Sequence, residues 1–184
     1  SARQAVKLLS SAGWNYGELS STHMEELLKQ SNEPIAAGEA FRNFSLKQDF
    51  AFEQAHMTLA NKFDPSWLKA AKQQLDLGQG LGVKTAVVHI PNNSAPDKTY
   101  IKKRKNHFEH LADCALSRNV IPCFENLMEC WRSYEELLEF IQSLKNGSEL
   151  GLCLDSGHLN ATGGDCGMFI RQAGRRLKAL HVTD

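Results

Sequence analysis

Asp155 and His158 stand as D-x-x-H directly after the apolar run Gly151-Leu152-Cys153-Leu154. At that spacing a strand-end carboxylate and an imidazole on the following turn can point at one ion. Glu125 follows a second apolar run, Val120-Ile121-Pro122-Cys123-Phe124. An unpaired carboxylate there would be costly, and a cation would remove the cost. Glu18, His56, His89 and His181 close other short apolar stretches, the last with Asp184 three residues on. Four of the seven histidines therefore fall at or just past such ends, whereas His23, His107 and His110 lie in helical stretches. A single strand-end histidine such as His56 or His89 is more often a hydrogen-bonded wall residue than a ligand. Four of them together with carboxylates imply a convergent cluster. Carboxylate and imidazole ligands suit Mn²⁺, Zn²⁺, Fe²⁺ or Co²⁺ better than Ca²⁺ or Mg²⁺, so the expected cofactor is a divalent metal ion.

The elements that must gather these groups are read from long periodic stretches alternating with short ones rich in β-branched residues. Helices are predicted over 5–12, 22–30, 66–77, 98–118, 133–145 and 166–175. Gly13 closes the first as a left-handed cap, Asp64-Pro65 opens the third, Gly78, Gly80 and Gly82 end it, and Asn146-Gly147 stops the fifth. Strands are predicted over 14–19, within 49–59 ending near His56, and over 84–90, 120–125, 150–155 and 177–182. An irregular link joins Gln30 to Asp49, and a loop joins Asp155 to the last helix. With no short hairpin between strands, the sheet should be parallel, and repeated right-handed crossovers close into a barrel or a doubly wound sheet. A full eight-stranded barrel takes roughly 250 residues. The chain has 184. The expectation is an α/β fold, a parallel (β/α) TIM-type barrel incomplete at both ends, forming one domain over residues 1–184. In such folds functional groups collect at the carboxyl ends of the strands, where these residues fall.

Composition removes several alternatives. Charged residues make up 23% and hydrophobic residues 42%, with 21 Lys+Arg against 21 Asp+Glu. That is the balance of a globular chain, and zero net charge supplies no overall pull toward nucleic acid or anionic membrane. Apolar runs such as 85–90 and 120–124 are far shorter than the roughly 20 residues of a membrane span. Residues 1–13 read as an amphipathic helix rather than a signal peptide. The five cysteines, Cys114, Cys123, Cys130, Cys153 and Cys166, form no C-x-x-C pair and read as reduced core residues, which points to a cytoplasmic location. Gly78-Gln79-Gly80-Leu81-Gly82 ends a helix and precedes a strand, the reverse of a phosphate-binding loop. Lys102-Lys103-Arg104-Lys105 shares its helix with Glu109 and Asp113 and reads as a solvated face. Ser10-Ser11 and Ser20-Ser21 lack the context of a nucleophile elbow.

Val87-Val88-His89, Phe124-Glu125-Asn126, Leu154-Asp155-Ser156-Gly157-His158 and Leu180-His181-Val182-Thr183-Asp184, with Ala12-Gly13-Trp14-Asn15-Tyr16-Gly17-Glu18-Leu19 near the start, resemble the xylose isomerase-like TIM-barrel superfamily. That superfamily includes sugar isomerases and epimerases and apurinic-site endonucleases of the endonuclease IV type. The resemblance implies a divalent metal held by Glu125, Asp155 and His181, with a last glutamate from a strand beyond Asp184. It also implies catalytic roles for Glu125 and His158, and substrate contacts from Glu18, His56 and His89. In the sugar reading the metal polarises a carbonyl and adjacent hydroxyl, lowering the cost of an enediolate, while Glu125 is one acid-base group. Its partner carboxylate would come from beyond Asp184, so little activity is expected of residues 1–184 alone. The endonuclease reading keeps the ligands, adds His56, His89 and His158 to a zinc cluster, and asks for basic loops that the strand ends do not carry. A third reading is a noncatalytic barrel that only binds. The expectation is thus a metal-dependent sugar isomerase or epimerase acting on a small-molecule sugar, with no membrane partner, nucleic acid the lesser partner, and homo-oligomer formation left open.

Overall fold

The computed structural model describes residues 1–58, 65–90, 97–127 and 134–183. In chain order the elements are α1 (Ala2–Ser11), β1 (Tyr16–Leu19), α2 (Ser21–Lys29), α3 (Pro34–Leu46), β2 (Ala51–His56), α4 (Pro65–Leu81), β3 (Thr85–Val88), α5 (Lys98–Leu116), β4 (Ile121–Glu125), α6 (Tyr134–Ser143), β5 (Gly151–Asp155), α7 (Ser156–Ala161), α8 (Cys166–Ala173), a 3₁₀ turn (Gly174–Arg176) and β6 (Leu177–His181). The six strands pair in sequential order, every neighbour parallel. The sheet is curled into an incomplete TIM-type barrel. β1 and β6 are its two edges, yet the imidazole of His181 on β6 reaches the carboxylate of Glu18 on β1 at 3.0 Å. His181 also stacks on His56 of β2 with ring centroids 5.4 Å apart. Only a curved sheet brings side chains of opposite edges together.

Two apolar clusters occupy the two faces. The larger lies between sheet and helices, where Phe108, Phe124 and Phe140 pack edge to face. The smaller, Val87, Cys123, Cys153 and Ala179, lines the interior of the curve. Cys123 and Cys153 are buried, Cys114 and Cys166 half-buried, and all four are free thiols; Cys130 lies outside the described residues.

The helix layer departs from the sequence reading at three places. The link between Gln30 and Asp49 contains α3, begun by Pro34 in the first turn. Its inward face is Gly38, Phe41 and Ser45, so two of the three buried positions carry no apolar signal. Nor do Gly78 and Gly80 end the preceding helix: α4 runs through both to Leu81, and the break comes at Gly82, whose φ is +85°. Gly38 and Gly80 are where α3 and α4 approach backbone to backbone. A Cβ on Gly38 would strike the carbonyl of Leu77, and one on Gly80 the carbonyl of Ile35. Close approach offsets the roughly 1 kcal/mol that each interior glycine costs a helix. Finally, the segment after Asp155 is the short helix α7, with Asp155 itself as the N-cap accepting from the backbone N–H of His158.

Candidate metal centre

Each candidate site residue singled out in the sequence, apart from Asp184, lies within the described residues, whereas Asp64 of the predicted helix start lies outside them. Glu18 is the third residue of β1, and His56, Glu125, Asp155 and His181 are the last of β2, β4, β5 and β6. His89 follows β3 directly, and His158 lies in the first turn of α7. An irregularity in β2 aims two of these groups. The β1–β2 register steps from Gly17 opposite Phe52 to Glu18 opposite Gln54, so Glu53 is skipped. As a result Phe52 and Ala55, three residues apart, both join the cluster under the helices, while Glu53 turns outward to Lys84 at 2.8 Å. Gln54 and His56 are left on the interior face. Gln54, rather than the like-charged Glu53, then stands beside Glu18 and donates its amide N–H to Oε2 at 2.5 Å.

Glu125 is the centre of the cluster, 2% exposed. On one side of its carboxylate, Nε2 of His89 lies 2.6 Å and Nε2 of His56 3.5 Å from Oε2. On the other, Nδ1 of His158 and Nδ1 of His181 lie 3.1 Å and 3.4 Å from Oε1. The same two nitrogens stand 3.9 Å and 3.7 Å from Oδ2 of Asp155. His181 thus faces both Glu125 and Asp155. Two groups, His56–Glu125–His181 and Glu125–Asp155–His158, each offer three ligand atoms within 4.8 Å, with Glu125 common to both.

The neighbouring chain fixes which atoms face inward. Nδ1 of His56 is 3.1 Å from the carbonyl of Met57, an acceptor only, so Nδ1 carries the proton and Nε2 turns to Glu125. Asp155 divides its two oxygens. Oδ1 accepts from the backbone N–H of His158 at 2.8 Å and the hydroxyl of Thr183 at 3.3 Å, which leaves Oδ2 toward the imidazoles. The backbone of Asp155 is clamped by buried Asn126, whose Nδ2 donates to its carbonyl at 3.0 Å and whose Oδ1 accepts from its N–H at 2.6 Å. Ser156 and Thr183 brace the adjoining turn: the Ser156 hydroxyl donates to the Thr183 carbonyl at 2.7 Å, and the Thr183 N–H donates back at 2.9 Å. The backbone N–H of Gly157 donates to the Thr183 hydroxyl at 3.0 Å. Gln54, Asn126 and Thr183 were missed by the sequence reading. Asn126 and Thr183 stand in the motifs that carry the resemblance, without a role assigned to them, whereas Gln54 gave no signal.

Electrostatics show how much negative charge the cluster holds. Burial pushes Glu125 toward the neutral acid, but His181, His56 and His89 outweigh it and hold its carboxyl well below the usual range. Contacts with Cys153, Glu125 and Glu18 push His181 up to about 12 against burial. His56 is lowered by burial but raised more by its contact with Glu125 and the charges of Glu18 and Glu125. Protons are retained here because the carboxylates of Glu125 and Glu18 converge on these rings, and a divalent cation would answer the same demand. One orphaned atom fits this donor set: Nδ1 of His158 is buried 3.1 Å from Oε1 of Glu125 without hydrogen-bond alignment.

A family model described as xylose isomerase-like TIM barrel matches residues 6–184. Among curated proteins none matches. Among solved structures, the chain superposes on D-psicose 3-epimerase from Clostridium cellulolyticum H10, crystallised with D-tagatose, with a TM-score of 0.80 at 16% identity. That match covers 99% of this chain and 67% of the other. For the probable 3-DHS dehydratase AsbF of Bacillus anthracis the TM-score is 0.82 at 14% identity, covering 98% and 67%. D-allulose 3-epimerase from Methylomonas sp. in complex with D-allulose gives 0.78 at 17%, covering 100% and 66%. At these identities the likeness is one of fold. Among the described residues, no helix is long and apolar enough to cross a membrane.

Proposed function

The chain belongs to the xylose isomerase-like TIM-barrel family, and from that premise we propose that it is a metal-dependent sugar isomerase or epimerase whose proton transfer takes place beside Glu125. The observation that carries the reading is the convergence of four imidazoles and Asp155 on one buried carboxylate. The substrate proposed is a small sugar, in line with the D-tagatose and D-allulose of the epimerase structures.

Glu125, Asp155 and His181 are the proposed ligands. A divalent ion there would supply Lewis acidity toward a carbonyl and its neighbouring hydroxyl. Glu125 and His158 form the proton-handling pair. Nδ1 of His158 lies 3.1 Å from Oε1 of Glu125, so the two groups stand close enough to serve one reacting position. His158, with its side chain 39% exposed, is the most open of the four rings. His56 and His89, with Glu18 beside them, are the proposed partners of sugar hydroxyls.

A second reading, hydrolysis of a phosphodiester at an abasic site, draws on the sharing of Glu125 by two ligand groups, since His56, His89 and His158 exceed what one ion needs. One experiment separates the two. The full-length protein is reconstituted with Mn²⁺, Co²⁺ or Zn²⁺, its metal content measured, and ketoses incubated with it in D₂O. Proton NMR should show deuterium entering next to the carbonyl, and Glu125→Gln should abolish the exchange. Failure to bind any of the three ions stoichiometrically would remove the reading. Nicking of abasic DNA without exchange into the sugar would put the endonuclease in its place.

A further inference from the structure

We infer that Glu18 is a positioning residue for His181: its carboxylate binds Nε2 of the imidazole and so turns Nδ1 toward the ion. The inference deepens the reading above and rests on it for the presence of the metal. The two nitrogens of His181 face different partners. Nε2 is 3.0 Å from Oε2 of Glu18, whereas Nδ1 faces Oε1 of Glu125 and Oδ2 of Asp155. A carboxylate only accepts, so the proton on Nε2 is donated to Glu18, and the lone pair available to a metal is the one on Nδ1. An imidazole ligand whose second nitrogen is held by a carboxylate has a fixed ring plane and a more basic donor atom.

Glu18 is itself held. The same Oε2 accepts from Nε2 of Gln54, which the skipped Glu53 in β2 has brought opposite Glu18. The chain Gln54–Glu18–His181 therefore runs from β2 through β1 to β6, and its last link joins residues 163 positions apart on the two edge strands. Among the described residues no backbone ladder joins β1 to β6, and a cleft of about 580 Å³ opens between them, lined by Tyr16, Gly17 and Glu18 on one side and Ala179, Leu180 and His181 on the other. Across that gap the Glu18–His181 pair links the curvature of the sheet to the aim of a ligand. Oε2, with two donors already on it, is committed to His181.

The test compares wild type with Glu18→Ala and Glu18→Gln, with Glu53→Gln as a control on the outer face of the same sheet. Affinity for Co²⁺ and Zn²⁺ alone is read by titration, and the His181 ring by ¹⁵N and downfield proton NMR. Glu18→Ala should bind both ions about 10–100-fold more weakly, with Glu18→Gln in between because its amide oxygen still accepts. Glu53→Gln should match wild type. The exchange-protected Nε2–H resonance of His181 should be present in wild type, shifted in Glu18→Gln and absent in Glu18→Ala. Glu18→Gln preserves volume, so it keeps the test usable should the alanine variant not fold. An unchanged resonance and unchanged affinity in both variants would overturn the inference while leaving the metal reading standing. Should wild type bind no ion, the metal reading falls, and the resonance alone decides whether Glu18 orients the ring.

Discussion

Two rungs of the barrel interior lie two residues apart on the same strands and have opposite chemistry. Cys123, Cys153 and Ala179 form the floor with Val87; Glu125, Asp155 and His181 form the mouth. Burial does not separate them, since Glu125 at 2% is as hidden as Ala179 at 3%. The floor is stable because its side chains are small, apolar and in contact. At the mouth, a carboxylate so far from water would cost several kcal/mol if left alone, and four imidazoles offset that cost. Val87, Cys123 and Ala179 should therefore report on stability alone, whereas the mouth, with Cys153 in contact with its His181, should report first on ion binding.

The largest effect should come from Glu125→Gln. The volume is kept, but the charge that both ligand groups share is lost. We expect ion affinity to fall by more than the roughly 10–100-fold that outer partners cost, measured by calorimetry on the refolded, metal-titrated protein. A variant that still binds at wild-type affinity would show the mouth to be only a satisfied polar core, like the floor in all but composition.

Away from both rungs, Gly80→Ala should cost about 2 kcal/mol of stability, because overpacking against the Ile35 carbonyl outweighs the gain in helix propensity. Urea denaturation measures it, and ion affinity should not move. This position also marks where the sequence misleads. Strand ends were legible because each apolar run stops on a carboxylate or a histidine, as at Glu125, Asp155 and His181. The helix layer was less so: the buried side of α3 is Gly38, Phe41 and Ser45, and glycines 78 and 80 read as a stop although α4 runs through both and Gly80 is its contact with α3. The supports of the site left almost no trace either. Asn126 and Thr183 act on backbone groups across strands, and Gln54 faces Glu18 only because Glu53 is skipped. No periodicity in one chain segment encodes a partner on another.

The pH dependence of the metal-free protein sharpens the contrast further. Glu125 is lowered on folding, so its contribution is full above its ordinary pKa of 4.5 and is lost as pH falls. His181 is raised to about 12, so its contribution is full below its ordinary 6.5, declines as pH rises, and is gone near 12. Stability without metal should peak between these ordinary values and fall on both sides. An ion replacing the proton on Nδ1 should lift the alkaline limb, so the stabilisation by Zn²⁺ seen in thermal unfolding should grow with pH across the neutral range. Equal stabilisation at every pH would mean that ion and proton do not compete for His181.

The smallest effect belongs to the floor and tests whether packing alone governs it. Cys123 is fully buried, and burial pushes its thiol up, so it stays neutral and acts as a small apolar group. Cys123→Ala should cost about 1 kcal/mol for the lost contacts. Its register neighbour on β5 is Gly151, where an added Cβ would lie 2.6 Å from Sγ of Cys123. Gly151→Ala alone should therefore destabilise by overpacking, and removing the sulfur should make room for the new methyl. The double variant should be more stable than the sum of the two single changes by about 0.5–3 kcal/mol, the range for residues in contact. Ion affinity in all three should equal wild type, because neither side chain reaches the rung above. Additive losses would mean that Lys178, the other neighbour of that Cβ, limits the space at Gly151. A drop in ion affinity with either change would mean that floor and mouth are mechanically one unit, and the separation between them would fail.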